Sequence, residues 1–143
     1  MAHRFLNAVS ILVCLATPAA GAPTLTYLGD SIALGAGHAA HMPTWAHVGW
    51  GSCKISIEMP FVRGNAVVSA GVNDEGKCVA EVRVQILGRV IWILPPPRYW
   101  KARLEIQRVA VENKDVTIEF TPGRDGLHPR SYAEIVHTIR SRR

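Results

Sequence analysis

Five short apolar runs, each stopped by glycine or proline, constrain this chain more than any other feature. Leu25–Leu28 ends at Gly29, and Ala66–Ser69 ends at Gly71. Trp45–Val48, a weaker run, ends at Gly49 and Gly51. Val90–Leu94 meets three prolines, and Val116–Phe120 meets Pro122 and Gly123. Continuous runs this short suit strands buried on both faces. Helical spacing falls between and after them, at Ala102, Ile106, Val109 and Ala110 and again at Tyr132, Ile135, Val136 and Ile139. Pro129 precedes the second group where a helix start tolerates it. Val79–Leu87 fits both an alternating strand and a helical face. Strand–helix alternation favours a parallel α/β sheet, and in that context the segment reads as helix.

The length of 143 residues supports one domain. With 48% hydrophobic and 19% charged residues the chain is not of the disordered class. Residues 1–22 have the pattern of a cleaved secretory signal. His3 and Arg4 precede a mostly apolar stretch from Phe5 to Ala16, and small residues follow up to Ala22. That stretch is short for a bilayer span, so no stable membrane insertion is expected after cleavage. The expected location is secreted or periplasmic, with the folded domain over residues 23–143. Cleavage takes Arg4 and Cys14, lowers the net charge from +5 to +4, and leaves Cys53 and Cys78 as an even pair.

Three polar motifs follow apolar runs, the first two directly and the third between the fifth run and the last helical segment. They are Gly29-Asp30-Ser31, Gly71-Val72-Asn73-Asp74 and Asp125-Gly126-Leu127-His128-Pro129. Ligands of open parallel sheets bind beyond the carboxyl ends of the strands, so these motifs are expected to converge. A serine needs a base to take its proton, and a histidine needs a carboxylate to hold its ring. Ser31, His128 and Asp125 supply the nucleophile, base and orienting acid. Developing negative charge on a carbonyl oxygen needs waiting donors. The Ser31 amide, the Asn73 side chain and an amide of the glycine turn after the second run are the candidates.

These motifs resemble the SGNH (GDSL-type) hydrolase family, over Leu25 to about Ile139. Leu28-Gly29-Asp30-Ser31-Ile32 looks like its nucleophile block, Gly71-Val72-Asn73-Asp74 its Gly-x-Asn-Asp block, and Asp125–Pro129 its final Asp-x-x-His block. The resemblance implies a flavodoxin-like three-layer α/β/α sandwich with a five-stranded parallel sheet of order 2-1-3-4-5. It implies serine-esterase chemistry without metal or organic cofactor. The catalytic roles carry over to Ser31, Asp125 and His128, and the oxyanion hole to Ser31, Asn73 and a glycine. In His47-Val48-Gly49-Trp50-Gly51-Ser52 the preferred glycine is Gly51 and the alternative is Gly49. The implied strand order also puts Cys53 and Cys78 at one sheet end, where a disulfide is expected.

The resulting expectation is an exported monomeric esterase that removes a small acyl group, such as acetyl, from a glycan or other small ester. A lysophospholipase or thioesterase of the same fold is one alternative. A catalytically inactive carbohydrate- or envelope-binding module is another. Activity should fall as His128 protonates at acid pH. His38 and His41 lack a third ligand at convincing spacing and read as loop residues near the pocket mouth. His137 reads as solvated and Trp100 as a packing residue. Arg130, Arg140, Arg142 and Arg143 read as a solvated helix end, and no nucleic-acid partner is expected.

Overall fold

The computed structural model describes residues 25–142. The segment read as a secretory signal lies outside the described residues. Five strands form one parallel sheet of order β2-β1-β3-β4-β5. In chain order the elements are β1 (Leu25–Gly29), α1 (Ser31–Ala40), β2 (Thr44–Ala46), α2 (Ser52–Glu58), β3 (Asn65–Ser69), α3 (Val79–Val84), β4 (Val90–Ile93), α4 (Trp100–Asn113), β5 (Val116–Ile118) and α5 (Tyr132–Ser141). A short 3-10 turn, Pro97–Tyr99, leads into α4. The expected fold and strand order are therefore the ones observed.

The apolar runs form strands because both faces of the sheet are covered. One face packs Leu28, Val68 and Trp92 against Ile55 of α2, Val82 of α3 and Ile106 of α4. The other packs Tyr27, Val67 and Ile93 against Ile32 of α1 and Ile135 of α5. Alternate residues along each strand thus enter opposite cores, which is why the runs are continuous rather than alternating. β1 and β3 pair along their full length, from Leu25 with Asn65 to Gly29 with Ser69.

Several boundaries differ from expectation. β2 is displaced toward the N-terminus and ends at Ala46, because His47, Val48 and Gly49 form an exposed turn. α3 ends at Val84 because the Gln85 and Ile86 amides close it, and Val62 then bridges Ile86. β5 stops at Ile118, before Phe120. α1 and α2 were not legible as helices. α1 carries Gly35 and Gly37, and these are packing sites. A Cβ on Gly35 would stand 2.2 Å from the Tyr132 ring, and one on Gly37 would stand 2.0 Å from Thr44 Oγ1. α2 is short and half polar.

Asp115, just before β5, holds the far edge together. Its carboxylate accepts Arg83 Nε at 2.6 Å and Arg83 Nη2 at 3.1 Å. It also accepts the indole N–H of Trp92 at 3.1 Å and the Val90 amide at 3.3 Å. The Asp115 side chain is only 2% exposed, so each partner satisfies a group cut off from water. Asp115→Ala is expected to lower the unfolding free energy by about 3–5 kcal/mol, since it strands the Arg83 guanidinium. Urea denaturation beside the wild type measures this.

Candidate active site

Ser31 owes its position to the two residues before it. Gly29 has a φ of +131°, and a Cβ there would collide with the Ser69 carbonyl oxygen at 1.8 Å. Only glycine lets β1 finish this close to β3. The Asp30 amide then bonds to Ser69 O at 3.0 Å. Asp30 caps α1, its Oδ1 accepting the Ile32 amide at 3.0 Å. Ser31 becomes the first residue of the helix, half-buried, at the carboxyl end of the sheet.

His128 and Asp125 arrive on a loop closed at its base. Gly123 N–H bonds to His128 O at 2.7 Å and Arg130 N–H to Thr121 O at 2.9 Å. A bridge between Pro122 and Pro129 completes the closure. Ser31 Oγ lies 2.9 Å from His128 Nε2, and His128 Nδ1 lies 2.6 Å from Asp125 Oδ2. Asp125 Oδ1 accepts the Leu127 and His128 amides, both at 2.9 Å. Those amides, with the imidazole, hold the Asp125 carboxyl down at about 2. Asp125 is therefore ionised at any working pH and can only accept. Nδ1 must carry the ring proton, and Nε2 accepts from the Ser31 hydroxyl. The three residues read from sequence form one hydrogen-bonded relay.

A second cluster lies in the loops after β2 and β3. Asn73 Nδ2 donates to the Trp50 carbonyl at 3.0 Å, which ties the β3 loop to the β2 loop. Trp50 stacks on His47 with ring centroids 4.1 Å apart, and Trp45 meets Trp50 edge-on at 5.3 Å. Asp74 accepts the Ser52 hydroxyl at 2.9 Å and the Cys53 amide at 2.8 Å. The Cys78 amide donates back to Ser52 Oγ at 2.9 Å. Cys53 and Cys78 form the expected disulfide across the same two loops, with Cα atoms 4.7 Å apart.

A cavity of about 160 Å³ is lined by Ser31, Val48, Gly49, Val72, Asn73, Leu127 and His128, with Asp30 and Ile32 at its edge. Gly49, the alternative donor, is in that lining. Gly51 instead caps α2, where a Cβ would meet Asp74 Oδ2 at 2.6 Å.

Asp30 and Asp74 were read only as motif letters, and both do structural work here. The Asp-x-Gly turn of Asp74 and Gly76, followed closely by Cys78, was the available signal for the second. Asp30 is 1% exposed, and its Oδ2 has no hydrogen-bond partner among the described residues. Burial pushes its carboxyl up to about 6. The nearby Ser69 hydroxyl and the Ile32 and Ala33 amides oppose that shift without cancelling it.

Other residues fall differently. His38 sits in the last turn of α1 and His41 is its left-handed cap, at the opposite end of the helix from Ser31. They are not at the pocket mouth. Among the described residues no group of histidine, cysteine and acidic side chains could hold a metal. His137 is exposed, as expected. Trp100 is 58% exposed rather than packed. No family model, curated protein or solved structure matched this chain.

Two outcomes follow. Replacing Cys53 and Cys78 by serine should lower the unfolding free energy by about 3.5 kcal/mol, the chain-entropy value for a sequence separation of 25, read by guanidinium denaturation. The raised Asp30 carboxyl favours the folded state below the unfolded value near 4, and that contribution is lost as pH rises through about 6. Asp30→Asn should therefore gain stability relative to wild type between pH 4 and 7.5, by on the order of 3 kcal/mol. Paired melting curves across that range measure the change.

Proposed function

We propose that this chain is a serine esterase of the SGNH hydrolase type. The observation that carries the reading is the relay from Ser31 through His128 to Asp125, at 2.9 and 2.6 Å. Ser31 Oγ attacks the ester carbonyl while its proton passes to His128 Nε2. The resulting imidazolium is balanced by Asp125. Nε2 returns the proton to the departing alcohol, leaving an acyl group on Ser31. A water then gives its proton to Nε2 and attacks the acyl carbon, releasing the acid and restoring Ser31.

The oxyanion donors in this reading are the Ser31 amide at the start of α1, the second N–H of Asn73 Nδ2 and the Gly49 turn. Asn73 spends its first N–H on Trp50 O, so its amide plane is already set. The cavity around Ser31, about 160 Å³, is small beside sites for drug-sized ligands. It suits a short acyl group such as acetyl and disfavours the lysophospholipase and thioesterase alternatives. The intact relay disfavours a purely binding role.

We further propose export, from the apolar segment at residues 5–16. The disulfide is compatible with an oxidising compartment. Among the described residues no helix is long and apolar enough to cross a membrane.

The test is hydrolysis of p-nitrophenyl acetate by residues 23–143, with Ser31→Ala and His128→Ala beside the wild type. Each substitution should cut kcat at least about 10³-fold. A fluorophosphonate probe should label wild type at Ser31 and leave Ser31→Ala unlabelled. Undiminished turnover in Ser31→Ala would remove Ser31 from the mechanism.

A further inference from the structure

The loop that carries Asp125 and His128 is surrounded by arginines without acidic partners. Arg124 and Arg130 line a large open cavity of about 790 Å³, together with Gly123, Asp125, His128 and Pro129. Both are exposed, and neither side chain makes a hydrogen bond or ion pair among the described residues. Arg98 lies on another side of the same loop. Its Nη2 donates to the Asp125 carbonyl at 3.4 Å and to the Tyr99 hydroxyl at 2.9 Å, and both acceptors are uncharged. Arg83, Arg103, Arg108, Lys54 and Lys101 are paired with carboxylates, while several cations elsewhere, Arg63, Lys77, Arg89 and Lys114 among them, have no ion pair among the described residues. What sets Arg98, Arg124 and Arg130 apart is their clustering around the loop of His128.

The sequence grouped Arg130 with the arginines that end the chain. The fold separates them. Arg130 precedes α5, whereas Arg140 lies in its last turn, about 13 Å along the axis. Arg130 belongs to the site and Arg140 does not. Asp125 is the one carboxylate in the large cavity's lining, and its charge is already committed to the imidazole and two amides.

His128 lines both this cavity and the small one around Ser31. A third cavity, of about 270 Å³, is lined by Arg98, Tyr99 and Trp100 and shares Val72 with the small one. An ester whose acyl group fills the small cavity has its alcohol beside His128, next to the Arg124 and Arg130 cavity, while the Arg98 and Trp100 cavity adjoins at Val72. We propose that the alcohol half of the substrate is a negatively charged saccharide, its carboxylate held by Arg124 and Arg130. Guanidinium groups bind carboxylates through paired N–H donors, and an exposed indole offers a face to a sugar ring. The small acyl space sets a saccharide above a lipid, whose long acyl chain it does not accommodate. This inference rests on the esterase reading for its substrate half, while the anion site itself stands on the arginines.

The experiment compares acetate release from an O-acetylated oligouronate and an O-acetylated neutral xylo-oligosaccharide with fatty-acid release from micelles of an anionic lysophospholipid. Wild type should prefer the oligouronate over the neutral oligosaccharide by about 10-fold in kcat/KM at low salt, and the preference should shrink as salt rises. Arg124→Gln combined with Arg130→Gln should abolish that preference through KM. Arg140→Gln, which removes the same charge elsewhere, should keep it. Deacetylated oligouronate is also titrated calorimetrically into Ser31→Ala, with and without the two arginine changes. If no ester is cleaved but this binding persists and needs the arginines, the esterase reading falls and the anion site stands. If both glycans are cleaved equally and the arginine changes alter nothing, the inference is overturned and the esterase reading stands. Preference for the lysophospholipid overturns the saccharide assignment.

Discussion

The close approach of β1 and β3 at Gly29 is the contact on which the site depends. No side chain fits between Gly29 and the Ser69 carbonyl, and the Asp30 amide bonds to that same carbonyl at 3.0 Å. The end of β1 is thereby fixed on the end of β3. What leaves β1 is Asp30 and then Ser31 on α1. What leaves β3 is the Gly71 turn and then Asn73. Ser31 and Asn73 thus start from one pair of hydrogen-bonded strand ends. Their separation is a property of the sheet rather than of loop conformation. Parallel pairing matters for the same reason, because it sends every strand's carboxyl end to one edge.

Four aspartates hold this arrangement, and burial separates their tasks. Asp115 is buried and fully partnered, so it acts as a structural anion joining α3, β4 and β5. Asp74 bridges the β2 and β3 loops, alongside the disulfide. Asp125 sits in water with two amides and an imidazole, which keeps it charged. Asp30 is buried, its Oδ2 has no hydrogen-bond partner among the described residues, and its charged form is disfavoured.

The fold was legible because the strands are buried on both faces. Val90–Leu94 could hardly be anything but a central strand, and Trp92 inside it is fully buried. The relay was legible because each member follows a strand, so topology alone brings them together. α1 and α2 were not, since their helical character comes from tertiary packing. Gly35 and Gly37 lower the intrinsic propensity of α1, yet both are there to admit Tyr132 and Thr44. The different surroundings of Gly49 and Gly51 also depend on a distant group. Gly51 faces the Asp74 carboxylate, which no local pattern around residue 51 reveals. Trp100 was misjudged because an apolar side chain at a helix start gives no sign of which neighbour covers it.

The site has a rigid inner half and a wet outer half, and this bears on how it would select substrates. Ser31 and the loops after β2 and β3 are held by strand pairing, an N-cap, a carboxylate bridge and a disulfide. His128 and Asp125, by contrast, are 39% and 53% exposed. Water screens the attraction between a carboxylate and an imidazolium, so the relay is electrostatically weaker in the free protein than it would be when covered. On the proposed reading the cover must come from the substrate. An alcohol half that lies across the arginine-lined cavity would displace water from His128 as its charge develops. Binding of the leaving group would then strengthen the transition state and not merely the encounter complex. Small activated esters such as p-nitrophenyl acetate leave this surface wet. They should use the same Ser31–His128–Asp125 relay uncovered, which makes the leaving group a determinant of rate.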